Sequence, residues 1–235
     1  MMDNIFGSKW DWQPSSNKLT KITTIDTTGG ESLRIIVSGL PPIQGRTALQ
    51  KSRHFMEHYD YIRTGLLLEP RGHANMYGAI LTTSADPAVD LDCFFMTMDG
   101  YSTTCEHTIL AIAKVVIESS VTKKEGPSQE ITISVPAGLV RARAVLAENG
   151  EVKRSSFRNV PSFVYLHDQN IDVVGIGTVQ FDLTFGAAFY AIVNAEALNL
   201  DLTPDTAGSS TMAERPRRSM NNIFKIFESL ITRCG

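Results

Sequence analysis

Asp99-Gly100-Tyr101-Ser102-Thr103-Thr104-Cys105-Glu106-His107-Thr108-Ile109-Leu110-Ala111-Ile112-Ala113-Lys114-Val115-Val116-Ile117-Glu118 is the stretch on which the fold turns. Asp99-Gly100-Tyr101 reads as a turn. Ser102, Thr103 and Thr104 then offer hydroxyls suited to an N-cap. From about Cys105 to Glu118 the pattern is helical, with Ile109, Leu110, Ile112, Ala113, Val115 and Val116 apolar around most of the circumference. A helix with so little polar surface must be covered on several sides.

The flanking sequence supplies the cover. Short β-branched or alternating runs predict strands at 21–26, 33–38, 77–82, 93–98, 130–135, 139–146, 152–157, 173–179 and 189–193. Thr27-Thr28-Gly29-Gly30, Leu40-Pro41-Pro42 and Pro136-Ala137-Gly138 punctuate them. Residues 47–67 form a second helix, with Leu49, Phe55, Met56, Tyr59, Ile62, Leu66 and Leu67 at helical spacing, and Glu69-Pro70-Arg71-Gly72 stops it. Several short strands around one apolar helix predict an α+β unit and not a doubly wound sheet. Residues 1–18 read as a disordered lead-in, 201–219 as a polar linker, and 220–232 as a short amphipathic helix beside Arg215, Arg217 and Arg218.

The composition narrows the function classes. Of 235 residues 43% are apolar and 20% charged, which suits a globular core. A net charge of -3 predicts no nucleic-acid partner. The start lacks the apolar segment of a signal peptide, and no run approaches the ~20 apolar residues that span a bilayer, so no membrane role is expected. Three cysteines (Cys93, Cys105 and Cys234) without paired spacing predict free thiols and a cytoplasmic setting.

Cys105 is the one credible catalytic group. The first N–H groups of a helix have no partner inside it, and with the helix dipole they attract negative charge. A thiol there is expected to ionise more readily, and the thiolate is the reactive form. The same amides can hold a carboxylate beside the sulfur, and His107 is placed to add a hydrogen bond to such a substrate. On position alone, a buried structural cysteine is the commoner outcome. Two other groupings carry less. His54-Phe55-Met56-Glu57-His58 has H-x-x-E-H spacing, but Tyr59 and Ile62 continue one amphipathic helix, so it reads as helix surface and no metal is assigned. Gly175-Ile176-Gly177 lacks the third glycine of a nucleotide loop and reads as a turn.

Five stretches, in order, resemble the proline racemase family, which includes trans-3-hydroxy-L-proline dehydratases. They are Thr24-Ile25-Asp26-Thr27-Thr28-Gly29-Gly30-Glu31 with Leu33-Arg34-Ile35, then Ser38-Gly39-Leu40-Pro41-Pro42-Ile43, then Glu69-Pro70-Arg71-Gly72-His73 with Met76-Tyr77-Gly78-Ala79. Gly100 to His107 resembles the family's nucleophile segment, and Phe185-Gly186-Ala187-Ala188-Phe189-Tyr190-Ala191 the segment leading into a second lobe. The resemblance implies a fold of the diaminopimelate epimerase type: two lobes, each a curled mixed sheet around a central helix, with the site in the cleft between them. It implies Cys105 as catalytic base, with Glu106, His107 and His73 at the substrate, although His73 could equally make a structural hydrogen bond. The substrate would be a proline-like imino acid, with no metal or organic cofactor. A second residue, Cys in racemases and Thr in dehydratases, would come from the other lobe.

The chain departs from the pattern in three ways. The His expected before the glycine pair is missing at Asp26-Thr27-Thr28-Gly29. Glu106 stands where the family has Gly, and its charge would either repel a substrate carboxylate or point harmlessly to solvent. Nothing after Leu200 carries the second-lobe motif, and Cys234 lacks its surroundings. The expected organisation is therefore a catalytic lobe over 19–185, the start of a second lobe over 186–200, and an atypical end over 201–235. A truncated gene model or an alternative transcript would produce this. If that were the whole product, half the cleft would be open to water, normal catalysis would fail, and the exposed apolar face would invite a homodimer or another partner. Overall similarity leans towards the dehydratases, with a proline or hydroxyproline racemase as alternative.

Overall fold

The computed structural model describes residues 21–28, 31–122, 125–173 and 177–196. These fall into two compact units, divided between Val160 and Pro161. In the first unit, β1 (Thr23–Thr28), β2 (Ser32–Ser38), β3 (Tyr77–Thr82), β4 (Leu91–Met96), β6 (Ser128–Val135), β7 (Gly138–Leu146) and β8 (Val152–Arg158) form one sheet in that order, and the short β5 (Tyr101–Ser102) pairs with β4. Two neighbouring pairs are parallel, β2 with β3 and β4 with β6. Parallel neighbours need a crossover. The first is α1 (Ala48–Leu67) and the second is α2 (Glu106–Glu118). Because β4 runs opposite to β3 while both crossovers step the same way across the sheet, a shared right-handed connection puts the helices on opposite faces.

The core clusters show that arrangement. Ile109, Ile112, Ala113 and Val116 of α2 pack with Leu33, Ile35, Ala79, Cys93, Phe95, Ile131 and Ile133. Phe55, Ile62 and Leu67 of α1 pack with Ile36, Ile80, Phe94 and Met96. Successive residues of β2, β3 and β4 thus serve two different cores, which is why those strands read as continuous apolar runs. Strands β6 and β7 bury alternate residues on the α2 side, with Glu130, Arg141 and Arg143 outside. Each large side chain sealed in this way contributes roughly 1.5–3 kcal/mol. The result is the predicted α+β lobe, a curled mixed sheet around a central helix.

The face that α1 presents to the sheet is partly polar. Leu49 and Met56, expected on the buried stripe, are 37% and 47% exposed, while Lys51, Ser52 and Arg63 are buried. Lys51 Nζ meets Asp92 Oδ2 at 2.6 Å, Thr83 O at 2.6 Å and Thr82 Oγ1 at 3.2 Å. Arg63 pairs with Asp60 and donates to the carbonyls of Thr97 and Met98. Long cationic side chains bury their stems and carry donors to carbonyls that the strand ends leave open.

The opening strands are tied to the end of α1 in the same manner. Arg34 forks onto Asp26 and also donates to the carbonyls of Leu66 and Arg71. Gly72 is required there, because a Cβ would stand 1.9 Å from the Leu67 carbonyl oxygen. Two stretches recognised separately in the sequence are therefore one junction.

The second unit contains β9 (Ser162–Val173), β10 (Gly177–Gly186) and β11 (Phe189–Val193), antiparallel in the order β11-β10-β9. The strand predicted at 173–179 is corrected. Val173 pairs with Gly177, so the chain reverses between them, and the real strands lie on either side. The apolar run Phe163-Val164-Tyr165-Leu166 carried a strand signal for β9, but Pro161 before it and the polar His167-Asp168-Gln169-Asn170 after it obscured its length. Residues 1–18 and 201–235, including the predicted amphipathic helix and Cys234, lie outside the described residues.

Candidate active site

Cys105 is the N-cap of α2, extended at φ -155° and ψ 108°. Two of the hydroxyls expected to cap, those of Ser102 and Thr104, are turned to other surroundings. Ser102 Oγ donates to Thr104 O at 2.6 Å, and Thr104 Oγ1 is buried without a hydrogen-bond partner. The cap falls one residue later than predicted, on a sulfur that makes no capping hydrogen bond of its own. The chain turns into the helix here because Ala137 N–H holds the Thr103 carbonyl at 3.2 Å, while Ile109 N–H closes the first turn on the Cys105 carbonyl at 3.1 Å.

The sulfur sits at a boundary. It belongs to the α2 core cluster and is only 6% exposed. On its polar side, Thr108 Oγ1 donates to it at 2.9 Å, and the His107 ring nitrogens lie at 3.4 and 3.5 Å. His107 is itself held. Its Nδ1 is 3.0 Å from Glu31 Oε2, and its ring meets Tyr77 edge to face at 4.9 Å. One helix start, the residue before β2 and the start of β3 thus converge on one imidazole and one thiol.

Burial pushes the Cys105 thiol above the ordinary cysteine value, against the expectation that a helix start makes it easier to ionise. The Thr108 hydroxyl and amide pull the other way, and the charges of Glu31 and Glu106 push it up further. The helix-start effect is present but smaller than the cost of desolvating a thiolate. A thiolate formed here is a strong base held among dry walls, with the first-turn amides of α2 beside it.

The other predicted residues are placed less tightly. Glu106 is exposed at the first helical position, and its Oε1 accepts from Asn159 Nδ2 at 3.4 Å. His73 is exposed in the loop before β3, and its described hydrogen bond is local, to the Ala74 carbonyl at 2.8 Å. His54 and His58 stack ring on ring at 4.4 Å on the α1 surface, as their spacing requires. The sequence reading missed Thr108, Glu31 and Tyr77. Thr108 was legible, since it lies one turn from the sulfur. Glu31 and Tyr77 reach the site only through strand pairing. In the second unit, His167, Asp168 and Asp182 gather their ligand-type atoms within 4.8 Å, but they already bond one another at the surface.

The chain is similar to known proteins both in sequence and in fold. The family model described as Proline racemase matches residues 24–228, and so runs past Leu200, after which no second-lobe motif was legible. Trans-3-hydroxy-L-proline dehydratase of Colwellia psychrerythraea is 43% identical over 197 residues, covering 83% of this chain and 55% of that protein. Proline racemase of Clostridioides difficile is 37% identical over 202 residues, covering 86% of this chain and 60% of that protein. The chain therefore spans little more than half the length of these relatives. Among solved structures, a hydroxyproline epimerase from Agrobacterium vitis with bound trans-4-hydroxy-L-proline superposes with a TM-score of 0.68 at 26% identity, covering 78% of this chain and 54% of that one. A probable proline racemase from Agrobacterium radiobacter with bound carbonate gives 0.72 at 27% identity, covering 82% of this chain and 57% of that one. With the thiol-bearing helix, the curled sheet and the ordered motifs all in agreement, the chain belongs to the proline racemase family.

Proposed function

We propose that Cys105 takes the Cα proton of a proline-like imino acid, and that the reaction is dehydration of trans-3-hydroxy-L-proline. The observation that carries the first half is the placement of the sulfur at the start of α2, against His107 and Thr108, with core on its other side. The second half rests on similarity. The dehydratases of Colwellia psychrerythraea, Xenopus tropicalis and Bacillus cereus are 42–44% identical to this chain, against 37–39% for the racemases of Clostridioides difficile and Acetoanaerobium sticklandii.

In the proposed step the Cα–H bond breaks and its proton goes to the Cys105 sulfur. The electron pair forms the Cα=C3 double bond. The C3–O bond breaks, and the leaving hydroxyl takes the proton that the sulfur has carried, so that it departs as water and the Cys105 thiolate is restored. A proton beside a carboxylate is a poor acid, so the growing negative charge must be met by donors already in place. The first-turn amides of α2 and the His107 ring fill that role in this reading. Glu106 from the helix start and His73 from the loop before β3 are the further proposed substrate contacts. Sulfur-to-carbon proton transfer asks for no redox group. The free thiols of Cys93 and Cys105 fit a reducing compartment such as the cytoplasm, and among the described residues no helix is long and apolar enough to cross a membrane.

A racemase or epimerase is the second reading, favoured by the likeness to the solved hydroxyproline epimerase. Proton NMR in deuterium oxide separates the readings. With trans-3-hydroxy-L-proline, a dehydratase loses the Cα and C3 proton signals as product forms. With L-proline or trans-4-hydroxy-L-proline, an epimerase incorporates deuterium at Cα and accumulates the other isomer. A folded sample that leaves all three compounds unchanged contradicts both readings and leaves a binding role.

A further inference from the structure

We infer that the Thr108 hydroxyl is a positioning residue for the base: its hydrogen bond holds the Cys105 sulfur at the mouth of α2 and favours its thiolate form. The inference deepens the function proposed above and rests on that reading, although its test does not.

Three features of the geometry carry it. Thr108 is fully buried, at 0% exposure, so its hydroxyl has no water to bond. A buried hydroxyl left unpaired is costly, and this one donates to the sulfur at 2.9 Å. A helical Thr ordinarily bonds back to the carbonyl four residues earlier. Here that carbonyl belongs to Thr104 and already receives the Ser102 hydroxyl at 2.6 Å. The Thr108 hydroxyl turns instead to the atom one turn back on the other side, which is the thiol. Donation from a hydroxyl is stronger to a thiolate than to a neutral thiol, so the bond favours ionisation. It also fixes the sulfur's direction relative to the first-turn amides.

The setting gives this one bond weight. Charged or titratable groups acting on the sulfur are His107, Glu31, Glu106 and the fully buried Cys93. Glu31, Glu106 and burial all favour the neutral thiol, whereas the Thr108 hydroxyl and amide oppose them. Removing the hydroxyl leaves the Thr108 amide and the more distant His107 ring on that side.

The test is the pH dependence of iodoacetamide alkylation, read at the Cys105 peptide by mass spectrometry. It compares the wild type with Thr108→Ala and Thr108→Ser. Alanine is a better helix former than threonine, so T108A retains α2, and circular dichroism verifies that it does. In T108A the midpoint for Cys105 rises by about one pH unit, with a ~10-fold slower reaction below it. T108S keeps the hydroxyl and stays near the wild type. An unchanged midpoint in T108A overturns the inference. So does a T108S midpoint displaced as far as that of T108A, because the methyl group would then be responsible. If T108S unfolds, the T108A midpoint decides alone. If T108A unfolds, Thr108→Val, which keeps the volume without the hydroxyl, takes its place under the same criteria. A shifted midpoint in a protein that exchanges no substrate proton keeps this inference and removes the proposed function; the opposite pair of results does the reverse.

Discussion

Cys93 and Cys105 lie in the same apolar cluster around α2, yet the fold gives them opposite prospects. Cys93 sits in the middle of β4 with 0% exposure, its sulfur offered only a distant carbonyl, that of Phe94 at 3.9 Å. Burial holds its thiol well above the ordinary range, and the nearby Asp92 charge adds to this. Cys105 is nearly as buried, at 6%, but one side of its sulfur faces a hydroxyl, an imidazole and a helix start. Burial raises both thiols, and what separates them is the polar side of the sulfur, where Cys105 has a hydroxyl and an imidazole and Cys93 a distant carbonyl.

The most direct way to break that contrast is differential labelling. In the native protein at about pH 8, iodoacetamide modifies Cys105 at least ~1,000-fold faster than Cys93, because Cys93 is reached only through opening events that cost several kcal/mol. Peptide-level mass spectrometry measures the ratio. Equal rates would mean that the polar side of Cys105 confers nothing.

Substitution by serine sharpens the comparison in stability. Cys93→Ser puts a hydroxyl among hydrocarbon with poor partners and costs about 1–3 kcal/mol. Cys105→Ser places its hydroxyl beside Thr108 and His107 and costs less than about 1 kcal/mol. Urea unfolding monitored by circular dichroism gives both values.

A smaller effect separates the two thiols by pH. Both are held above their unfolded values, so above about pH 8.5 the unfolded chain has lost protons that the folded chain retains. The unfolded state then binds fewer protons and stability falls as pH rises, by up to about 1.4 kcal/mol per pH unit for each thiol. Between about pH 9 and 10, Cys93→Ala flattens this slope more than Cys105→Ala, as unfolding midpoints measured across that range will show.

The same contrast explains how much of the site was legible in the sequence. The helix that begins after Cys105, its buried character and the strands over 33–38, 77–82 and 189–193 follow from local periodicity, and the structure has them. His107 could be assigned because it is two residues from the sulfur. Glu31 could not, because only strand order brings it to His107. The raised Cys105 thiol was also hidden: the helix-start amides are a local feature, whereas the desolvation that outweighs them comes from β-strands far away in sequence. The burial of Lys51 and Arg63 was hidden for the same reason, since their acceptors lie on β3 and β4 or just beyond them. Local patterns reveal which residues start an element, while the balance of burial and charge at a thiol depends on contacts that only the assembled sheet creates.

The account depends on the Cys105 sulfur exchanging a proton with substrate carbon. Wild-type protein and the C105S variant, both shown to be folded, would be incubated with trans-3-hydroxy-L-proline and L-proline in deuterium oxide, and deuterium at Cα followed by mass spectrometry and NMR. The account predicts a change at Cα, either deuterium incorporation or loss of the proton with water, whose rate rises with pH towards the Cys105 midpoint and which is abolished in C105S. Undiminished exchange in C105S would contradict it.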